Sequence, residues 1–404
     1  MFQFTALPPL SLYIHFPWCV RKCPYCDFNS HAVRGDLPQD QYVDALLADL
    51  ESDLPRVWGR PVRTVFLGGG TPSLFSPEAL ERLLAGVRAR VTLVPDAEVT
   101  LEANPGTVET ERFRGYRAAG VNRLSIGIQS FQPEQLHKLG RIHGRDEALA
   151  AAQAARAAGF DNFNLDLMFG LPQQTLDEAL ADLRTALALN PTHLSLYQLT
   201  LEPNTLFHAQ PPELPDEDVL AAMQEALQTE LADAGFTQYE VSAYARAGRR
   251  CRHNLNYWQF GDYLGIGAGA HAKITDADGV TRLWKVKQPR DYLQTAGTPA
   301  GLGGEQRPGK DDVAFEFMLN ALRLSEGVPA LLFSERTGLD PACMQKPLTR
   351  AMARGLLEPG LEHIRPTPLG QRFLNELVAL FLPEATHTDV QVPREAGCRE
   401  RPTR

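Results

Sequence analysis

The chain has 404 residues, a formal net charge of −9 and 44% hydrophobic residues. That length allows two or three domains around a large core, and the acidic balance argues against a broad nucleic-acid surface, which is basic. No apolar run approaches the ~20 residues of a membrane-spanning helix, and the N-terminus lacks the basic and apolar regions of a signal peptide. A cytoplasmic protein is expected, with membrane contact only through its partners.

Leu12 to Phe16 reads as a short buried strand. It runs into Cys19, Cys23 and Cys26, spaced by three and then two residues. Gln41 to Leu54 carries Val43, Leu46, Leu47, Leu50 and Leu54 at helical spacing. Thr64 to Leu67 is a second strand, ending in Gly68-Gly69-Gly70-Thr71-Pro72. Pro77 to Arg90 reads as a helix with Ser76 as N-cap and Pro77 in its first turn. Further strands are expected at Glu98 to Glu102, Arg123 to Ile128, Asn162 to Leu167 and His193 to Leu199. Helices are expected at Arg112 to Ala119, Glu147 to Ala158, Leu176 to Leu189 and Asp216 to Ala234.

Six strands alternating with helices imply βαβ units and a parallel sheet. Six units fall short of a closed eightfold barrel, so the fold class is α/β, a partial (β/α)6 barrel over residues 1–240. Residues 241–300 read as an extension, with Cys251, His253, Asn254, Tyr257 and Trp258 close together and Gly265, Gly267 and Gly269 suited to close backbone packing. Thr298 to Lys310 reads as a Pro/Gly-rich linker. Residues 301–382 combine helices at Asp311 to Leu324, Pro341 to Ala353 and Gly370 to Leu382 with a small hairpin, a winged-helix-like pattern. With this net charge, a lid or docking role suits that domain better than DNA binding. Residues 383–404 are polar and expected to be disordered.

The cysteine loop carries the sharpest chemical signal. Three thiolates so spaced can hold three corners of a [4Fe-4S] cluster and leave one iron open to a ligand that is not protein. That iron can chelate the amino and carboxylate groups of S-adenosylmethionine (SAM) and pass an electron to its sulfonium. A structural zinc site needs four protein ligands, and no second Cys pair or His pair completes one here. A disulfide framework is out of place in a chain of this size with six cysteines. Cys251, Cys343 and Cys398 are too scattered to pair by inspection. The glycines after the second strand would let a ligand approach the backbone, whose free N–H groups could meet it; a plain tight turn is the alternative.

Taken together, Tyr13-Ile-His-Phe-Pro-Trp-Cys19, Cys23-Pro-Tyr25-Cys26-Asp-Phe28, Gly68-Gly-Gly-Thr-Pro72, Glu102-Ala-Asn-Pro-Gly-Thr107, Ser125-Ile-Gly-Ile-Gln129-Ser-Phe131 and His253-Asn-x-x-Tyr257-Trp258 resemble the HemN/HemW group of the radical SAM superfamily. That group holds oxygen-independent coproporphyrinogen III dehydrogenases and haem chaperones, and the resemblance runs from about Leu12 to Leu382. It implies a [4Fe-4S] cluster on Cys19, Cys23 and Cys26, flanked by Tyr25. It places Tyr13, Gly69, Gly70, Thr71 and Glu102 against SAM, with Gln129, Arg141 and Asp166 at positions that contact SAM in the dehydrogenases. The bland alternatives are that Gln129 and Asp166 merely end strands and that Arg141 pairs with Glu147.

The dehydrogenases carry a further Cys two positions after the last cluster Cys, where this chain has Phe28. They also carry an N-terminal extension, which is short here. Both departures favour the chaperone branch, whose cargo is haem and whose partners are apo-haemoproteins such as respiratory enzymes. Haem needs an axial donor. His253 is the candidate, at the barrel rim, with Tyr257 and Trp258 as walls and Cys251 as alternative donor; a structural histidine in the core is the competing reading.

Overall fold

The structure is a computed structural model describing residues 2–383 apart from 108, 109 and 361. Of the expected disordered tail, all but Pro383, and with it Cys398, lies outside the described residues.

The strands are β1 (Leu10–Phe16), β2 (Trp18–Cys19), β3 (His31–Ala32), β4 (Val62–Gly69), β5 (Leu93–Ala103), β6 (Arg123–Gln129), β7 (Phe163–Phe169) and β8 (His193–Gln198). They continue as β9 (Thr237–Glu240), β10 (Ala243–Ala245), β11 (Asp262–Ile266), β12 (His271–Asp276), β13 (Gly279–Lys285), β14 (Leu302–Gln306), β15 (Val328–Pro329) and β16 (His363–Ile364). One twelve-stranded sheet runs in the order β14-β13-β12-β11-β1-β4-β5-β6-β7-β8-β10-β9. From β1 to β8 its neighbours are parallel, which gives the expected six βα units. The helices Gln39–Val57, Pro77–Arg90, Thr110–Ala119, Arg145–Ala157, Leu176–Ala188 and Glu217–Asp233 intervene. Ser76 caps the second of these by accepting from the Ala79 N–H at 3.2 Å.

Successive side chains of a strand alternate between its faces. Leu124, Ile126 and Ile128 of β6, and Leu165 and Leu167 of β7, join one continuous apolar core beneath the helices. The intervening Arg123, Ser125 and Gln129, and Asn164 and Asp166, fall on the other face, inside the barrel.

The extension does not stand apart from the barrel. β11 pairs in parallel with β1, and β12, β13 and β14 follow as antiparallel strands. The expected linker is therefore partly wrong, because Leu302–Gln306 pairs with β13. Glycine made that region look like a linker, but Gly304 sits where a Cβ would fall 2.1 Å from the Trp284 ring. Gly265 and Gly267 do serve close packing: a Cβ at Gly265 would lie 1.8 Å from the His271 carbonyl oxygen, and one at Gly267 2.4 Å from that of His15.

A second apolar core gathers Val313, Phe317, Phe333, Ile364 and Leu377 from the C-terminal helices. The hairpin expected there is reduced to a single bridge, Leu357 to Pro366, while β16 pairs with β15 instead.

Buried ion pairs join the extension to the barrel. Asp262, at the start of β11, meets Lys273 Nζ and Arg60 Nη2, each at 2.8 Å. Burial pushes its carboxyl up, but the two cations outweigh that and hold it below the ordinary value. Asp262→Ala would strand Lys273 as an uncompensated buried charge. Chemical denaturation should show a loss of about 3–5 kcal/mol.

Candidate functional site

At the C-terminal ends of the parallel strands lies a cavity of about 460 Å³, where ligand sites of such sheets form. Cys19, Cys23 and Cys26 face it together with Tyr25, Gly69, Gly70, Thr71, Glu102, Gln129, Arg141 and Asp166. The loop that carries the thiols is fixed by the short parallel pair β2–β3, with the Val33 N–H donating to the Cys19 carbonyl at 2.9 Å.

Each thiol has a polar neighbour. Thr71 Oγ1 donates to Cys19 Sγ at 3.4 Å, Arg141 Nη1 to Cys23 Sγ at 3.7 Å, and Ser30 Oγ lies 3.6 Å from Cys26 Sγ. Such donors stabilise thiolate and cluster sulfur. Burial pushes the Cys19 thiol up, opposed by the Thr71 bond, so ligation there would displace a proton. Among the described residues no three His, Cys, Asp or Glu side chains gather tightly enough to chelate a single ion. A multi-iron cluster instead takes one thiolate per corner, and this donor set fits it.

The glycine turn works differently from its expected role. Its N–H groups are occupied: Gly69 donates to Glu102 Oε2 at 2.9 Å, Gly70 to the Phe16 carbonyl at 2.6 Å and Thr71 to that of Trp18 at 2.7 Å. A Cβ at Gly70 would fall 2.5 Å from the Trp18 carbonyl oxygen. The glycines let the turn lie flat against the segment leading to Cys19, and they do not offer free N–H groups to a ligand.

Glu102 is a strongly perturbed carboxyl of the cavity. Burial pushes it up to about 8, the Asp166 carboxylate adds to this, and the Gly69 N–H works against both. Asp166 is also raised, by burial, although Asn164 and Ser125 donate to it at 2.7 and 3.3 Å. Arg141 donates to Asn104 Oδ1 and the Gly127 carbonyl, both at 2.7 Å, while its buried Nε has no partner among the described residues. It does not pair with Glu147, which accepts instead from the Gly144 N–H. Gln129 adopts φ +71° and accepts from the Tyr197 hydroxyl at 2.5 Å.

Asn104, Ser125, Ser195 and Tyr197 also line the cavity and were not anticipated. Strand alternation held the signal for three of them: Ser125 lies two and four residues from Gly127 and Gln129, and Ser195 and Tyr197 share one face of β8.

Two anticipated residues stand elsewhere. Tyr13 faces a neighbouring cavity and hydrogen-bonds His15 Nδ1 at 3.0 Å. His253 is 1% exposed and does not reach the rim. Its Nδ1 bonds Thr64 Oγ1 at 2.8 Å, its Nε2 the Tyr257 hydroxyl at 3.3 Å, and its ring stacks on Phe66. Glu98 holds the start of the short helix Arg252–Trp258, accepting from the N–H groups of Arg252 and His253 at 3.1 and 3.0 Å. Burial, with Arg123 nearby, pushes the imidazole down to about 3. The reading of His253 as an axial haem ligand is therefore corrected: it is a neutral histidine plugging the base of the barrel. Cys251 is no freer, being fully buried and pushed up to about 12.

A six-unit parallel barrel with a three-thiol loop after its first strand defines a radical SAM protein, and residues 13–186 match the Radical SAM superfamily. Residues 310–373 match the HemN C-terminal domain. The chain is 54% identical to the heme chaperone HemW of Escherichia coli, over 94% of this chain and 100% of that one. It is 50% identical to the heme chaperone HemW of Haemophilus influenzae, over 94% and 99%. The chain belongs to the HemW family. Its structure also resembles that of coproporphyrinogen III oxidase (HemN) from Escherichia coli, a radical SAM enzyme, with a TM-score of 0.79, 25% identity and coverage of 93% and 90%.

Two outcomes follow. His253→Ala removes two hydrogen bonds and a stacked ring from a sealed site, so thermal or chemical unfolding should show a loss of about 2–4 kcal/mol, with no change in the Soret position of bound haem. Glu102→Gln should stabilise the ligand-free protein. The unfolded carboxyl ionises near 4.5 while the folded one holds its proton to about 8, so the gain should grow between those pH values and level off above them.

Proposed function

We propose that the chain is a haem chaperone that carries a [4Fe-4S] cluster and SAM, binds haem as cargo and hands it to apo-haemoproteins, membrane-bound respiratory enzymes among them. The observation that carries this reading is similarity along nearly the whole chain to proteins named heme chaperone HemW. Phe28 in the cavity wall, where the dehydrogenases carry a further Cys, supports it.

Cys19, Cys23 and Cys26 would hold three irons. When bound, the cluster supplies an electron to the SAM sulfonium. Glu102, once ionised, would accept from the ammonium or a ribose hydroxyl of SAM, and Asp166 and Gln129 would fix the rest of the nucleoside. Arg141 would balance the negative cluster through its contact with Cys23 Sγ. No described helix is long and apolar enough to cross a membrane. We place the chaperone in the cytoplasm, meeting membrane clients peripherally.

The HemN-like fold favours one other reading, oxidative decarboxylation of coproporphyrinogen III. Anaerobic incubation of reconstituted protein with SAM, reductant and coproporphyrinogen III separates the two. Stoichiometric haem binding without protoporphyrinogen is expected; multiple turnovers to protoporphyrinogen would replace the carrier with the enzyme. Replacing Cys19, Cys23 or Cys26 singly with Ser should abolish the brown thiolate-to-iron absorbance, and Cys343→Ser should keep it. Retention of the cluster in Cys23→Ser would overturn the ligand assignment.

A further inference from the structure

With His253 sealed inside the barrel base, the haem iron needs another donor. A second cavity, of about 610 Å³, adjoins the thiol cavity and shares Asp27, Phe28, Gly69 and Glu102 with it. Two histidines line it, His15 and His271. His15 is unsuited to ligation, because its Nδ1 meets the Tyr13 hydroxyl and its Nε2 lies 2.9 Å from the Asn29 carbonyl. His271 opens β12, is exposed, and makes no side-chain hydrogen bond among the described residues. Its ring stacks on Trp284, its strand partner, with centroids 6.4 Å apart. Partial burial and the nearby Lys287 and Arg282 push it below its ordinary value, which keeps a lone pair on the ring.

The rest of the wall combines aromatic faces with charge of both signs, Lys22 and Lys287 against Asp27 and Glu102. Phe28 is 57% exposed at the boundary of the two cavities, where its ring faces both. Tyr257 and Tyr263 pack edge to face along the same wall, 4.4 Å apart. Lys287 is exposed and forms no ion pair among the described residues.

We propose that this second cavity is the haem site: His271 is the axial ligand, Phe28 covers a porphyrin face and Lys287 pairs with a propionate. The proposal rests on the haem-chaperone reading and assigns its cargo a place. Haem here lies beside the cluster cavity without entering it, on the open side from which it must leave.

Hemin titration of the full-length protein tests this. Wild type should show the Soret band of imidazole-ligated haem. His271→Ala should lose that band and bind hemin at least about tenfold more weakly, and added imidazole should restore the band. Metal-free protoporphyrin has no iron to coordinate, so it should bind wild type and His271→Ala alike; equal affinity also shows that the variant cavity is intact. Should that variant fold poorly, His271→Cys should give the shifted Soret band of thiolate-ligated haem. Lys287→Glu should weaken both porphyrins. If His271→Ala and His271→Cys bind hemin with wild-type affinity and spectrum, the site is wrong while the haem-chaperone reading stands. If wild type binds no hemin, that reading falls and the site falls with it.

Discussion

Every central strand of the barrel is buried on both faces, so each polar residue on its inner side must find a partner inside the barrel. This constraint sorts the interior into two storeys. Near the N-terminal ends of the strands, Thr64, Glu98, Arg123 and Asn164 are closed off by His253, Cys251 and Tyr239. His193 joins them, bonding Asn164 Oδ1 and the Tyr239 hydroxyl at 2.7 and 2.8 Å. This storey is closed to a ligand, although the buried Arg123 Nε has no hydrogen-bond partner among the described residues. Near the C-terminal ends, Glu102, Asp166 and Arg141 line open space. The same alternation along the same strands thus makes both a sealed floor and a reactive ceiling.

The ceiling is electrostatically tense. Two neighbouring carboxyls, Glu102 and Asp166, are both pushed upward by burial, and a cation between them would relieve that. SAM brings a sulfonium and an ammonium. A pocket that stores unfavourable carboxylate energy until a cation arrives is suited to holding its cofactor rather than to stability alone.

The barrel was legible in the sequence because β-strand and helix periods alternate cleanly over its first 240 residues, and helix Pro77–Arg90 lies where its Ser-Pro start places it. The thiols were legible because their spacing is chemically specific. What failed was inference across the chain. His253 sits in a motif with two aromatics, which suits a haem wall and a barrel plug equally well; only its contacts with Thr64 and Glu98, over 150 residues away in sequence, decide between them. The glycines of Leu302–Gln306 suggested a linker because glycine marks both loose chain and strands crowded by a large neighbour such as Trp284. Strand alternation around Ser125 and Tyr197 carries the signal that both face the barrel interior.

The short helix Arg252–Trp258 carries His253 into the barrel floor, while Leu255 and Trp258 pack against the C-terminal core and Arg323 lies 4.2 Å over the Trp258 ring. Mechanically, it is a rivet through two plates. A force applied to the C-terminal domain is delivered to the floor beneath the strands whose upper ends line the thiol cavity, and a chain cut before residue 310 would lose one of the two plates against which that rivet is seated.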